Sequence, residues 1–129
     1  MPTTPQAPTS DLLALDQVRS RLANLLPRWA VVGDALQRVV RTGDWKGTLM
    51  AVNTIGHLAE AAWHHPELQV AYDRVTIRLS THDAGGITEK DLALAERIES
   101  VLMWRPGSAP GAVLSGTPDD AAHRYIVYD

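Results

Sequence analysis

Two adjacent histidines, His64 and His65, close a long apolar segment and are followed directly by Pro66. Because proline cannot continue a helix, both imidazoles are expected in or just beyond the last helical turn. There the helix dipole favours imidazolium by ~0.3–1 kcal/mol, which suits a general acid. Glu60 lies four residues before His64, on the same predicted helix face, where it is expected to orient the ring. This combination favours a chemical role over the alternative, a helix end that carries solvated histidines.

The composition restricts which other chemistries are available. The chain has 129 residues, enough for one domain, and its net charge of -3 gives no indication of a nucleic-acid or membrane-surface partner. The absence of cysteine excludes disulfides and thiolate metal sites. The first residues lack the basic and apolar regions of a secretory signal, and no apolar run approaches the ~20 residues of a membrane span, so a cytoplasmic protein is expected.

The N-terminal part of the chain predicts an arm, a helix and a hairpin. Residues 1–9 contain three prolines and small polar residues, which is typical of a disordered arm. Ser10 is expected to cap a helix that begins at Asp11 and ends before Pro27. The next two apolar runs, 29–32 and 35–41, read as strands joined by a two-residue turn at Gly33-Asp34.

A long helix is predicted from about Trp45 to His64, with Asp44 as its N-cap. Its apolar surface forms two neighbouring stripes and is wider than one buried face requires. One side is expected to cover the sheet and the other, an Ala/Ile/Leu stripe, to meet a second subunit. The two stripes comprise Leu49, Val52, Gly56, Ala59 and Trp63, and Ala51, Ile55, Leu58 and Ala62.

The C-terminal half predicts one strand, one helix and an extension. Residues 70–81 alternate apolar and polar side chains as one half-buried strand does, and His82 follows in a glycine-containing turn. Thr88 and Asp91 form a capping box that opens a third helix, so a structural role for Asp91 is favoured over a catalytic one. That helix is expected to end near Trp104, with Leu94, Ile98, Val101 and Leu102 on its core face.

Residues 105–129 form a C-terminal extension beyond the predicted domain of residues 10–104. The stretch 106–120 is rich in glycine, proline and alanine, but residues 124–128 contain two tyrosines, isoleucine and valine. A disordered tail is usually poor in such residues. We therefore expect Tyr125–Tyr128 to dock along a sheet edge or against a neighbouring subunit.

The order of these elements and the spacing of the polar residues resemble the pterin-4a-carbinolamine dehydratase family. The resemblance covers about residues 11–103, and the chain departs from the family in having no phenylalanine and in its extension. The fold implied is α+β, a four-stranded antiparallel sheet with helices on one face, in dimers or tetramers. The residues that match the family in type and spacing are Glu60, His64, His65, Pro66, Tyr72, His82 and Asp91.

The resemblance implies a hydro-lyase that converts a 4a-hydroxytetrahydropterin to quinonoid dihydropterin and so serves aromatic amino-acid hydroxylases, with no metal or organic cofactor. Histidines 64 and 82 are the expected proton-transfer pair, with His65 shaping the pocket; which one is acid and which base stays open. Glu60 and Asp91 have supporting roles. The expected substrate-binding residues are Trp29, which supplies a flat apolar wall, Trp63, Ser80, Thr81 and Asp83.

Two other functions are compatible with the same residues. Members of this fold also act as partner proteins, as a dimerisation cofactor of a homeodomain transcription factor and as RuBisCO assembly factors. The assembly factors lack the histidines that this chain retains, which favours an enzyme. A metal site formed by His64, His65 and His82 is disfavoured, because adjacent residues rarely chelate one metal and no carboxylate cluster accompanies them.

Overall fold

The computed structural model describes residues 11–129, which form a four-stranded antiparallel sheet and three α-helices. The predicted arm and the predicted cap at Ser10 lie outside the described residues. The elements in chain order are α1 (Leu15–Leu25), β1 (Ala30–Val32), β2 (Ala35–Arg41), α2 (Trp45–Ala62), β3 (Glu67–Ala71), β4 (Arg74–Leu79), a short 3-10 helix (His82–Ala84) and α3 (Glu89–Leu102). The strand order in the sheet is β1-β2-β4-β3.

The hydrophobic core lies between the helices and one face of the sheet, as the predicted α+β class requires. Directly opposed residues of β2 and β4 share this face, for example Leu36 with Leu79 and Val40 with Val75. All four are fully buried and belong to one apolar cluster with side chains of α1, α2 and α3. Burial of such side chains, at roughly 25 cal/mol per Å² of apolar surface, is the main force that holds helices on the sheet.

The predicted hairpin at Gly33-Asp34 is confirmed, with β1 and β2 paired and Gly33 at a φ of 63°. The single strand predicted over residues 70–81 is wrong. The chain reverses at Tyr72-Asp73, so that Val70 of β3 lies opposite Val75 of β4. Because β3 is an edge strand with little burial, its side chains lack the strict alternation that marks β4.

The first helix begins four residues later than predicted. Residues 11–14 are not helical, because the amide of Leu13 donates to the carbonyl of Ile87 at 2.9 Å and the segment lies along the loop before α3. From Leu15 onward the helix buries Val18 and Leu22 and ends at Leu25, before Pro27 as expected.

The second helix starts as predicted, with the Asp44 side chain accepting a hydrogen bond from the Gly47 amide at 2.7 Å. The assignment of its Ala/Ile/Leu stripe to a subunit interface is wrong for Ala51 and Ile55, which are buried in the core of this chain. The large apolar side chains that α2 leaves exposed are Trp45, Leu49 and Met50. The helical period predicted an apolar face but could not show which stripe contacts the sheet.

The third helix has the predicted capping box between Thr88 and Asp91. Leu94, Ile98 and Leu102 face the core as expected, whereas Val101 is exposed. No helix within residues 11–129 is long and apolar enough to cross a membrane.

The extension returns to the domain after leaving α3. Ile126 is buried in the core, and the Val127 amide donates to the carbonyl of Arg41 at 2.9 Å. The Asp129 carboxylate lies 3.0 Å from the buried guanidinium of Arg38, which also donates to Glu99 at 2.8 and 2.9 Å. A buried cation requires such partners, so the extension contributes to a charge cluster inside the domain.

Candidate active site

A fully buried carboxylate, Asp91, holds the imidazole of His64. His64 Nε2 lies 2.6 Å from Asp91 Oδ1, and the His64 side chain is mostly buried. The other carboxylate oxygen accepts hydrogen bonds from the Thr81 hydroxyl and the Thr88 amide, each at 2.8 Å. Because a carboxylate can only accept, His64 Nε2 carries the donated proton, which leaves Nδ1 as the free ring nitrogen.

Two threonines complete the surroundings of this carboxylate. The hydroxyls of Thr81 and Thr88 are 2.7 Å apart, and Thr88 also accepts from the Lys90 amide. Since the Thr81 hydrogen points to Asp91, the Thr88 hydroxyl donates to Thr81. Every polar group in this cluster has a partner, and among the described residues no buried side-chain nitrogen or oxygen lacks one. Such a satisfied network fixes the position of Asp91 and, through it, of His64.

The chain leaves α2 at Trp63, which adopts a left-handed backbone conformation with φ 51° and ψ 47°. The helix therefore ends at Ala62, and the His64 amide donates back to the carbonyl of Ala59 at 3.1 Å. This geometry is common at helix C-termini, but the residue there is usually glycine or asparagine. A tryptophan at this position is strained, and strained residues concentrate at functional sites.

The predicted pairing of Glu60 with His64 is wrong. Glu60 Oε1 instead lies 2.6 Å from His65 Nε2, and both side chains are largely exposed. The prediction assumed that the helix continues through His64, whereas the turn at Trp63 brings His65 back over the last helical turn. The rings of His65 and Trp63 pack edge to face, with their centroids 5.0 Å apart.

The structure brings the segment around His82 to the same carboxylate. Thr81, the residue before His82, donates to Asp91, and its amide donates to the carbonyl of Gly86 at 2.7 Å. These bonds fold residues 81–86 into a closed turn in which His82 and Asp83 are exposed. Ser80 is half-buried at the end of β4.

Of the two tryptophans expected to bind substrate, only Trp63 is accessible. Its side chain is 77% exposed, beside the histidines. Trp29 is only 3% exposed, and its indole N–H donates to Glu99 at 2.9 Å. The expectation that Trp29 forms a wall for a ring is therefore wrong, because its ring packs in the core instead.

Sequence reasoning missed the contribution of Thr88 to the site and the double role of Asp91, which caps α3 and also holds His64. The capping box was a visible signal, but the contact to a residue 27 positions away was not. Within residues 11–129, no three histidine, aspartate or glutamate side chains are grouped as a metal site would require. The arrangement suits proton transfer by imidazoles that hydrogen bonds hold in place.

Comparison with known proteins gives a consistent result. A family model described as pterin 4 alpha carbinolamine dehydratase matches residues 11–101. A protein of Aquifex aeolicus named for pterin-4-alpha-carbinolamine dehydratase is 43% identical over 90 residues, which cover 70% of this chain and 90% of that protein. A protein of Mycobacteroides abscessus with the same name is 45% identical over 91 residues, covering 70% of this chain and 96% of its own.

A solved structure is also similar. It is described as a transcriptional coactivator/pterin dehydratase from Brucella melitensis and superposes with a TM-score of 0.63 at 28% identity. The match covers 69% of this chain and 96% of that one. The matched family region, 11–101, ends before the extension, whereas the capping box, the Trp63 turn and the three candidate histidines, His64, His65 and His82, all lie inside it.

Proposed function

Because the chain belongs to the pterin 4 alpha carbinolamine dehydratase family, we propose that it dehydrates a 4a-hydroxytetrahydropterin to the quinonoid dihydropterin. In this reaction the C4a–O bond breaks and the hydroxyl leaves as water after receiving a proton. The N5–H bond also breaks, and its electron pair forms the C4a=N5 double bond. One proton is delivered and one removed, so the protein needs an acid and a base and no redox partner.

The observation that carries the proposal is the contact between Asp91 and His64. With Nε2 held by a carboxylate, Nδ1 of His64 is free to accept the N5 proton, and Asp91 then balances the charge on the ring. This use of a buried aspartate to fix an imidazole follows the logic of the Ser-His-Asp triad with the two nitrogens exchanged. We assign His64 as the base on this ground.

The exposed His82 is the proposed acid for the departing hydroxyl, because its backbone is tied to the same carboxylate through Thr81. Each such proton transfer typically contributes ~10²–10⁴-fold to the rate. His65, paired with Glu60 at the surface, shapes the pocket. Backbone and side-chain groups of Ser80, Thr81 and Asp83 are the proposed hydrogen-bonding partners of the pterin edge.

Trp63 is the proposed wall for the flat ring of the pterin. Its exposed indole stands against His65, and its left-handed backbone is one that glycine or asparagine would adopt with less strain. Aromatic side chains bind flat rings by stacking with centroids at ~4.5–7 Å. Trp63 thus takes the role that was expected of the buried Trp29.

We further propose that the protein recycles the pterin used by an aromatic amino-acid hydroxylase. We propose that it does so in the cytoplasm as a homodimer or homotetramer. The exposed side chains of Trp45, Leu49 and Met50 on α2 favour self-association, since large apolar groups in one area mark interaction surfaces. Light scattering at micromolar concentration tests the assembly, and a monomer would contradict it.

A second candidate function is a partner-binding role, which the description of the similar Brucella structure as a transcriptional coactivator supports. The two functions make different demands on the histidines, because a binding surface does not require proton transfer. The direct test is to add purified protein to chemically generated 4a-carbinolamine and to record formation of the quinonoid product. A rate equal to the spontaneous rate would favour the binding role.

A further inference from the structure

We infer that the C-terminal extension forms a second ligand site, a pocket for a small flat organic anion that carries a phosphate or a carboxylate. The pocket has a volume of about 540 Å³ and is lined only by residues of the extension, between Arg105 and Tyr128. Sites for small molecules typically measure ~300–1,000 Å³ and combine apolar walls with a few polar groups.

The extension that forms the pocket is held in place at both of its ends. Near its start, the Arg105 guanidinium lies 5.0 Å from the centroid of the Tyr128 ring, and the Tyr128 hydroxyl donates to the carbonyl of Trp104. Near its end, Ile126 is buried in the core and Val127 is bonded to Arg41. The residues between these points therefore form a closed loop rather than a free tail.

Two glycines allow the backbone at residues 106–107 to contact the backbone at residues 115–116. A Cβ atom on Gly107 would lie 2.2 Å from the carbonyl oxygen of Ser115, and one on Gly116 would lie 2.3 Å from that of Pro106. Both glycines have positive φ, at 90° and 82°. Only glycine fits both demands at once, so the shape of the loop depends on these two residues.

The charges of the lining favour an anion. Its charged side chains are Arg105, Arg124 and Asp119, and the carboxylate is already paired with Arg124 at 3.1 Å. Within residues 11–129, no ion pair involves Arg105. The pocket is thus locally positive in a chain whose net charge is -3. A guanidinium binds phosphates and carboxylates through two parallel hydrogen bonds.

The remaining lining favours a ring attached to that anion. The half-buried rings of Tyr125 and Tyr128 contribute aromatic surface, and Ser108, Ser115 and Thr117 contribute hydroxyls. The site is separate from His64, His65 and His82. The backbone of Tyr125 meets α2 at Gly47, and Gly47 and His64 stand near opposite ends of that helix, about 25 Å apart at the helical rise per residue.

The test is calorimetric titration of the full chain with phenyl phosphate and with benzoate, and with benzyl alcohol as the neutral ring. We expect saturable one-to-one binding of at least one anion with a Kd of about 1 mM or lower, and no binding of the alcohol. The anion that binds more tightly identifies the preferred group. Absence of saturation by both anions at about 10 mM, or equal binding of the alcohol, would overturn the inference.

Variants locate the binding. Arg105→Gln should weaken it at least about tenfold, whereas Arg97→Gln, at an exposed arginine of α3, should leave it unchanged. Gly116→Ala should abolish it, whereas Gly111→Ala should retain it, because Gly111 also has positive φ but nothing lies within 4 Å of its added Cβ. Binding that survives both Arg105→Gln and Gly116→Ala, or that His64→Gln removes, would contradict this location.

Discussion

His64 Nε2 and Asp91 Oδ1 are 2.6 Å apart, and the carboxylate is fully buried. The pair joins the C-terminus of α2 to the first turn of α3. The Asp91 side chain therefore caps the start of α3 and also holds the His64 imidazole, so the stability of the fold and the geometry of the site depend on the same group.

The first prediction concerns Asp91→Asn. The amide oxygen can keep the hydrogen bonds from Thr81 and Thr88, but the amide N–H₂ then faces His64 Nε2 and forces the other tautomer. His64 Nδ1 becomes a donor, so turnover of the carbinolamine should fall by about 10²-fold or more. Asp44→Asn, at the N-cap of α2, is the matched control. It should leave turnover unchanged, and full activity of Asp91→Asn would contradict the role of this pair.

The second prediction concerns Trp63→Asn. Asparagine tolerates the left-handed conformation better than tryptophan, and the lost side chain buries little surface, so stability should rise by about 1 kcal/mol or stay level. The affinity for a stable oxidised pterin should nevertheless fall, by about tenfold. Thermal melting and fluorescence titration measure the two effects. Trp45→Asn, at the other end of α2, should leave pterin affinity unchanged. Equal pterin affinity of the two variants would show that Trp63 does not bind the pterin.

The third prediction concerns the docking of the extension. A Cβ on Gly47 would lie 1.9 Å from the carbonyl oxygen of Tyr125, whereas one on Gly56 of the same helix meets nothing within 4 Å. Gly47→Ala should therefore displace the extension and remove the hydrogen-exchange protection of the Val127 amide. Gly56→Ala should keep that protection and stabilise the protein by about 1 kcal/mol through helix propensity. Retained protection in Gly47→Ala would show that docking does not depend on this close approach.

The fourth prediction concerns acid pH. Arg21 of α1 donates to Glu89 of α3, and this hydrogen bond lowers the pKa of Glu89. A carboxyl group whose pKa is lower in the folded state stabilises the fold above its unfolded pKa and loses that effect as pH falls. Arg21→Gln should thus lower the melting temperature slightly at neutral pH. It should have no effect at a pH below the pKa of Glu89 in the folded protein, where that carboxyl group is protonated. The same loss at both would contradict an electrostatic role; the effect is small because the pair is exposed.

Local signals in the sequence predicted much of this fold. The hairpin at Gly33-Asp34, the cap at Asp44 and the capping box at Thr88 each depend on residues within a few positions of one another. The hairpin at Tyr72-Asp73 was missed because β3 is an edge strand whose side chains show little burial pattern. Short-range periodicity cannot reveal a reversal between two strands of similar composition.

The site was predictable as a set of residue types but not as a set of contacts. Glu60 was expected on His64 because the spacing of four residues assumes a continuous helix, and the left-handed Trp63 invalidates that assumption. The contact of Asp91 with His64 and the burial of Trp29 join distant parts of the chain, as does the specific place in the core that Ile126 takes. The apolar run at residues 124–128 indicated docking but not where the run would dock. Tertiary packing decides such contacts, and no local pattern encodes them.

The most direct measurement is the dehydration rate of chemically generated 4a-carbinolamine, with the spontaneous rate subtracted, for the wild-type chain and for His64→Ala and His82→Ala. We expect the wild-type chain to accelerate the reaction and each variant to lower turnover at least about tenfold, with the fold intact by circular dichroism. Full activity in either variant would contradict the role assigned to that histidine. A wild-type rate no higher than the spontaneous one would contradict the proposed function itself.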